Sequence, residues 1–427
     1  MTARELALDL LLKSEKSKQY SNIVLDNALK GSELSNADKG LVSVIFYGVT
    51  ERRITLDYQI KLLSTRKIKD IDSRTLNAVR IGLYQLIYLD RIPPHAAINE
   101  SVELCAKKSS GFANALLRSF LRQGGIKLPD KNNAIEYLSV AYSVDTPLLE
   151  KLLSIFGKEE TEKLLIAVNE APQTTLRVNT LLTDREALLK NIPSSIATTN
   201  SPYGILVNGS VRDIYGFDEG AFFVQDEASQ ICVEVLDAKC GELIMDICAC
   251  PGSKSFGAAI NMKNDGAIYS FDLHKNKLSL IENGANRLKI NIIKTSACDG
   301  RNFLAEFERK ADRIICDVPC SGFGVLAKKP ELRYKNPDES SSLPKIQLDI
   351  LENASRYLKS GGTLIYSTCT VIPEENEKNI EAFLSAHPDF YLEEWRIGSI
   401  IAKSGMMTLL PHLHKTDGFF IAKLKRK

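Results

Sequence analysis

The chain lacks most of the features that assign a protein quickly. Its 427 residues carry a formal charge of only +2, which excludes a grossly basic polyanion binder but leaves room for a local basic face. No apolar run approaches the roughly 18 residues of a membrane span, and the opening MTARELALDLLLKSEKS sets acids inside its apolar stretch. Neither a membrane segment nor a targeting signal is read, and a cytoplasmic location is expected. Repeats and low-complexity tracts are missing too. Nine cysteines are an odd number, and only Cys105 precedes residue 230, so there is no disulfide framework. Cys248 and Cys250 lie one residue apart, and Cys316 and Cys320 have no His nearby. The C-x2-C spacing of a zinc site is therefore absent and no metal is expected. Most of these thiols are expected to be small buried hydrophobes.

What is present suits a globular protein. With 44% hydrophobic and 25% charged residues the chain can bury sizeable cores, and its length suggests two or three domains. Its pattern changes near residues 140 and 235. Up to about Arg122 apolar residues recur at helical spacing, as in Leu10, Leu11, Ile23 and Leu29, in Leu41, Val42, Ile45 and Val49, and in Leu76, Val79, Leu83 and Leu86. Asp72 and Ser73 offer an N-cap, Pro93 and Pro94 precede another helix, and Gly124 and Gly125 follow the last. Residues 1–140 are predicted to be an all-helical domain. Up to Asp145 there are about five more Lys and Arg than Asp and Glu, including Arg52, Arg53, Arg66, Lys67, Lys69, Arg118 and Arg122. A solvated face explains such an excess, and an RNA-binding face is the alternative.

Residues 141–235 read as a small α+β connector domain. LLEKLLSIFG and EETEKLLIAV look helical with Gly157 as a stop between them, TLRVNTLL and YGILVNG alternate as strands, and FFVQDEASQICVEVL becomes helical after Asp226. In residues 236–427 the grammar differs. Short apolar runs without alternation, ELIMDIC, GAIYSFD, DRIICDV and GTLIYS, are separated by helical segments. Such runs mark strands buried on both faces of a parallel sheet, whose ligands bind beyond the carboxyl ends of the strands.

Chemistry-bearing residues follow those ends. After the first strand comes DICACPGSKS, with Asp246, Pro251, Gly252 and Lys254; a Gly turn entering a helix presents backbone N–H groups to a carboxylate or phosphate. Asp272 ends the second strand, where a carboxylate can accept both ribose hydroxyls of a nucleoside cofactor, and Asp299 in ACDG is placed to bond an adenine amine. By themselves these features fit a structural turn or a nicotinamide site almost as well.

Two thiols decide the matter. Cys320 in DVPCSGFG follows the fourth strand and Cys369 in YSTCT follows the next. On neighbouring strands, about 5 Å apart, both would reach one substrate ring. A hydride-transfer enzyme leaves such a pair idle, whereas pyrimidine C5 chemistry needs it. A thiolate adding at carbon 6 of cytosine turns the ring into an enamine that accepts a methyl group at carbon 5. The donor needs a good leaving group, and S-adenosylmethionine suits the nucleoside site. Asp317 stands beside the reaction, where it can relieve the charge created at ring N3. An A-form helix hides these carbons, so the target base is expected in a loop or flipped out.

These residues carry a family resemblance. DxCxCPGSKS, FDLHKNKL, ACDG, DVPCSGFG, YSTCT and GFFIAKL together resemble the RNA cytosine-C5 methyltransferases with two active-site cysteines, across essentially the whole of the last domain. RVN at Arg177 to Asn179 and QDEAS at Gln225 to Ser229 resemble the segments that precede that domain, and the helical bundle, with GFANALLR at 111–118, resembles the antitermination factor NusB. The domain order is similar to that of bacterial small-subunit ribosomal RNA methyltransferases of the RsmB/Sun type. The resemblance implies a Rossmann-like, S-adenosylmethionine-dependent methyltransferase domain with a mostly parallel, doubly wound sheet, preceded by the NusB-like domain and the connector. It makes Cys369 the nucleophile and Cys320 the release thiol, with Asp317 and Lys254 assisting. The cofactor would lie on Cys248, Ala249, Cys250, Pro251, Gly252, Ser253 and Lys254 with Asp272, Asp299 and Asp317. Small-subunit ribosomal RNA is the implied partner, bound by a monomer.

There are departures from the family pattern. The cofactor loop usually reads CAAPGGKT, and here Cys250 replaces Ala and Ser253 replaces Gly. If position 253 needs a positive φ, Ser would strain the turn by about 1 kcal/mol or more. KKPELRYK, residues 328–335, is expected to touch RNA or shield the site through Lys328, Lys329 and Arg333, with a solvated cluster as the alternative. Lys254 either orients Asp317 or a ligand, or caps its turn. Transfer RNA as substrate, a non-catalytic RNA scaffold and a nicotinamide-dependent oxidoreductase are the competing readings of the chain.

Overall fold

Helix-spaced apolar residues wind the first part of the chain into helices whose inward faces form one core. The structure, a computed structural model, describes residues 1–16, 21–209 and 211–427. The chain divides into two compact units: Met1–Asn169 with Leu326–Pro337, and Glu170–Val325 with Asp338–Lys427.

The first unit contains α1 (Ala3–Lys16), α2 (Ser21–Lys30), α3 (Asn36–Glu51), α4 (Arg53–Leu63), α5 (Ser73–Tyr88), α6 (Pro94–Glu103), α7 (Lys107–Gln123), α8 (Ala134–Tyr142) and α9 (Thr146–Val168). Leu10, Leu11, Val42, Ile45, Val49, Leu76, Val79 and Leu83 share its core, whereas Ile23 is 45% exposed and faces outward. The helix boundaries have the expected chemistry. The Asp72 side chain accepts the Thr75 N–H and caps α5, Pro94 opens α6, and Gly124 closes α7 in a left-handed conformation. Gly157, at φ 73° and ψ 173°, breaks α9 into two helical stretches.

Residues 326–337 pack as part of this helical unit, which overturns the surface role expected of Arg333. Its guanidinium is fully buried and donates to Val168 O at 2.7 Å, Asn169 Oδ1 at 2.7 Å and Tyr142 O at 3.2 Å. Beside it the Tyr334 hydroxyl lies within hydrogen-bond distance of Thr50 O and Glu51 O, and Arg53 stacks over the Tyr334 ring at 3.8 Å. A buried cation ringed by acceptors is structural, and water and phosphate cannot reach it. Of the cations of the predicted basic face, Arg53 is thus engaged within the unit. Arg52 is also engaged, against Glu51 and the Tyr88 ring. Arg66, Lys67, Lys69, Arg118 and Arg122 are exposed.

The second unit starts with a small sheet of β1 (Thr174–Val178), β2 (Ile196–Ala197), β3 (Gly204–Val207) and β4 (Phe222–Val224), in the order β2-β3-β1-β4 and antiparallel throughout. Helix α10 (Arg185–Asn191) contributes Leu188 to its own core with Leu176, Val178, Ile205 and Phe222. Helix α11 (Glu227–Leu236), capped by Asp226, leads into the main sheet.

The buried runs then form β5 (Leu243–Asp246), β6 (Ala267–Asp272), β7 (Ile293–Ala297), β8 (Ala311–Asp317) and β9 (Leu358–Thr368). They pair in parallel in the order β9-β8-β5-β6-β7. Helices α12 (Ser253–Asn261), α13 (Leu278–Arg287) and α14 (Leu343–Ser355) lie in the connections, and two apolar clusters are built on the sheet's residues. After α15 (Glu377–Ala386) come β10 (Phe390–Leu392), β11 (Trp395–Ile397), β12 (Ile400–Ala402), β13 (Met406–Leu409), the short α16 (Pro411–His414) and β14 (Phe419–Arg426). Strand β14 lies antiparallel against β9 with β10 and β13 paired to it, so the sheet is mixed at this edge. The strand order reverses beside β5, between β6 and β8, which sets the tips of β5, β6, β8 and β9 around one crevice.

Candidate active site

The parallel register places Asp246, Asp272, Asp317 and Cys369 at or just past the carboxyl ends of β5, β6, β8 and β9. Between Asp246 and Asp272 the loop from Cys248 to Lys254 turns tightly. The Ala249 N–H donates to Phe271 O at 2.8 Å, and the Cys250 N–H donates to Asp272 Oδ2 at 3.2 Å. The left-handed φ of this turn, 106°, falls on Gly252, where a Cβ would stand 2.6 Å from the Phe256 ring. Ser253 is the first residue of α12, so the strain anticipated for a serine at 253 does not arise. No side chain caps α12, and the first-turn N–H groups of a helix are the donors an anion cradle requires.

The carboxylates differ in environment. Asp246 is almost fully buried, accepts Ser255 Oγ–H at 2.6 Å through Oδ2, and has no partner for Oδ1 among the described residues. Burial pushes its pKa up to about 7. Asp272 also accepts the His274 N–H at 3.0 Å. Asp299 is held by Arg301, whose side chain keeps it below the usual carboxylate range. It lines a small open cleft with Ile247, Phe271, Cys298, Leu304 and Tyr357.

Lys254, 7% exposed on α12, reaches Asp317 Oδ2 at 2.6 Å. Burial opposes its charge most strongly, but Asp317 and the other groups beside it together outweigh burial, and the ammonium's pKa rises above its ordinary value. Ser367, opposite Asp317 in the β8–β9 register, donates to Asp317 Oδ1 at 2.7 Å. Sequence reasoning missed Ser367. Alternation along YSTCT puts it on the same face as Cys369, but its partner follows only from the register.

The two cysteines meet. Cys320 Sγ lies 3.0 Å from Cys369 Sγ, and the Cys369 N–H donates to Cys320 Sγ at 3.3 Å. The Cys320 thiol is pushed well above its ordinary value, first by the hydrogen bond to Cys369 and then by burial. Either thiol can donate across this contact, and the raised pKa of Cys320 favours its protonated form. Two backbone bonds fix the crossing: Gly324 N–H to Cys369 O at 2.9 Å and Gly418 N–H to Gly324 O at 2.8 Å. The remaining thiols behave differently. Burial pushes Cys232 up to about 12 and raises Cys248 and Cys316, so these are protonated packing groups. Cys250 is also raised, by burial and by Asp272. Among the described residues no group of three His, Cys, Asp or Glu is placed to hold a metal, and no helix is long and apolar enough to cross a membrane.

A doubly wound, mostly parallel sheet with a glycine turn after its first strand and an acid at the tip of the second is the frame of a Rossmann-like methyltransferase. Comparison with known proteins agrees. A family described as 16S rRNA methyltransferase RsmB/F matches residues 233–425, the NusB family matches residues 1–122, and an RsmF/B-like ferredoxin-like domain matches residues 147–211. A probable ribosomal RNA small subunit methyltransferase B of Bacillus subtilis (strain 168) is 36% identical over 443 residues, 100% of this chain and 99% of that one. Another of the same description, from Synechocystis sp. (strain ATCC 27184 / PCC 6803 / Kazusa), is 35% identical over 448 residues and 100% of both chains. The crystal structure of PH0851 matches with a TM-score of 0.81 at 28% identity, over 100% of this chain and 99% of that one. The chain belongs to the ribosomal RNA small subunit methyltransferase B family.

Proposed function

We propose that this protein methylates carbon 5 of a cytosine in small-subunit ribosomal RNA, with S-adenosylmethionine as donor and a transient Cys369–C6 bond. The 3.0 Å approach of Cys320 and Cys369 at adjoining strand tips carries the reading, because a methyltransferase acting on an oxygen or an amine needs no such pair. The uncapped start of α12, the loop from Cys248 to Lys254 and the carboxylate of Asp272 suit a nucleoside bearing an amino-acid tail, with Asp299 and its apolar cleft on the base side. Bound there, S-adenosylmethionine supplies an electrophilic methyl group on a sulfonium.

The protein's own groups do the rest. Cys369 adds as thiolate to ring carbon 6, and the displaced electron pair runs to N3, which takes a proton from the Lys254–Asp317 pair. Once carbon 5 is methylated, that proton returns to the pair. With Cys369 bonded to the ring, Cys320 loses the thiol contact that raises its pKa most and gives its proton to solvent. The Cys320 thiolate then takes the carbon 5 proton, the 5,6 double bond re-forms, and Cys369 leaves as thiolate. Exposed Arg66, Lys67, Lys69, Arg118 and Arg122 of the helical unit supply a basic surface for RNA. Domain spans of 1–140, 141–235 and 236–427, with residues 141–169 and 326–337 packed into the helical unit, and a cytoplasmic, monomeric enzyme complete the reading.

The test is bisulfite sequencing of total RNA from cells with and without the protein, together with Cys369→Ala in vitro. Loss of one small-subunit cytosine methylation, and a Cys369→Ala variant that binds RNA but does not methylate it, are expected. Unchanged methylation by the variant would refute the nucleophile.

A further inference from the structure

The mechanism needs two thiols on separate loops to face one ring atom pair, and a buried dipeptide after Cys369 touches the flanks of both. Glu375 is 2% exposed and Asn376 is fully buried. Glu375 Oε2 accepts the Ser321 N–H at 2.9 Å and Gln347 Nε2–H at 2.8 Å. The same Gln347 amide donates to Pro319 O at 2.9 Å, so Glu375 and Gln347 grip the peptide on each side of Cys320. Asn376 does the same for Cys369. Its Oδ1 accepts Thr368 Oγ1–H at 2.5 Å, and its Nδ2–H donates to Thr370 O at 3.0 Å. Ser321 Oγ and Thr370 Oγ1, at 2.8 Å, bridge the two gripped segments directly.

We propose that Glu375 and Asn376 are positioning residues that hold Cys320 and Cys369 in register for reaction at one base. Consecutive residues are joined by one rigid peptide, so the spacing of the two grips sets the spacing of the two sulfurs. A carboxylate that is buried against a backbone N–H and a neutral amide is costly unless its geometry is needed. Its charge also helps Cys320 keep its proton, after the larger effects of the Cys369 hydrogen bond and burial.

The proposal rests on the thiols being the reacting pair, but their proximity can be read without methyl transfer. Diamide takes two electrons and two protons from two adjacent thiols, leaving a disulfide and the corresponding hydrazine. The Sγ atoms need close only from 3.0 Å to about 2.05 Å. In the full chain, the rate of the Cys320–Cys369 cross-link, mapped by peptide mass spectrometry, is compared for the parent, Glu375→Ala and Glu375→Gln.

Glu375→Ala is expected to slow cross-linking on the order of tenfold or more and to leave more RNA adduct resistant to denaturation, because a small misplacement of a reacting group is expensive. Glu375→Gln, whose Oε1 can still accept the Ser321 N–H, is expected to recover most of the rate. Parent-rate cross-linking in Glu375→Ala would overturn the proposal. If that variant does not fold, Asn376→Ala serves in its place and parent-rate cross-linking again overturns it. Slower cross-linking combined with no adduct and no methylation in the parent would uphold the positioning and defeat the proposed chemistry instead.

Discussion

Replacing Gly324 by Ala should damage the site with a single methyl group. The added Cβ would stand 1.8 Å from Gly418 O and 2.8 Å from Cys369 O. Both are backbone atoms and cannot rotate aside, so one of the two crossing loops must move by about an ångström. Overpacking of this kind costs about 1–3 kcal/mol, here raised by the loss of one or both backbone bonds at the crossing. For a unit of this size each kcal/mol lowers Tm by about 2–4 °C, so a fall of several degrees is expected. Because the displaced loop carries Cys369, methyl transfer from a radiolabelled donor should drop on the order of 100-fold. Gly111→Ala is the control. It lies in α7, a Cβ there meets nothing within 4 Å, and removing a mid-helix glycine should stabilise the protein by about 0.5–1 kcal/mol. Parent melting and parent rate in Gly324→Ala would show that this crossing does not hold the loops.

Other predictions follow from buried charges. Asp246, with a folded pKa raised to about 7 from its ordinary 3.8, gives a contribution fully present below pH 3.8 and lost as pH rises through 7. Its slope is at most about 1.4 kcal/mol per pH unit. Asp246→Asn should flatten stability between pH 4 and 7 and raise it above pH 7; urea melts at several pH values would expose an unchanged slope. Arg333→Met removes a charged donor from three acceptors of the helical unit, of which Tyr142 O keeps only the Asn169 amide at 3.3 Å, and should cost at least about 3 kcal/mol, read as an earlier loss of helix by circular dichroism. A change within 0.5 kcal/mol, about what surface substitutions cost, would contradict its structural role. Lys254→Met strands a carboxylate whose side chain is 30% exposed, so about 2 kcal/mol is expected rather than the larger penalty of a fully buried pair. Adding Asp317→Asn should restore part of it, and strict additivity of the two losses would show that they are not coupled.

Much of this was readable from the chain because the main sheet obeys local rules. Strands buried on both faces look like uninterrupted apolar runs, and ligand chemistry gathers at their carboxyl ends, so Asp272, Asp317, Cys320 and Cys369 could be named from position alone. The caps at Asp72 and Gly124 and the break at Gly157 were legible for the same reason. What escaped depends on distant packing. Arg333 stands in a basic, proline-containing stretch whose composition says surface, yet acceptors from residues 142, 168 and 169 enclose it. Glu375, in an acidic run, gives no local hint of burial. Ser253 looked strained only because the family pattern has glycine there, whereas the positive φ belongs to Gly252.

The most direct test of the two-thiol mechanism is to incubate Cys320→Ala with S-adenosylmethionine and substrate RNA, denature, digest, and identify the modified peptide by mass spectrometry. A methylated nucleotide bonded to Cys369, and absent from a Cys369→Ala, Cys320→Ala double variant, is predicted. Normal turnover of Cys320→Ala, or a nucleotide attached to any other residue, would contradict it.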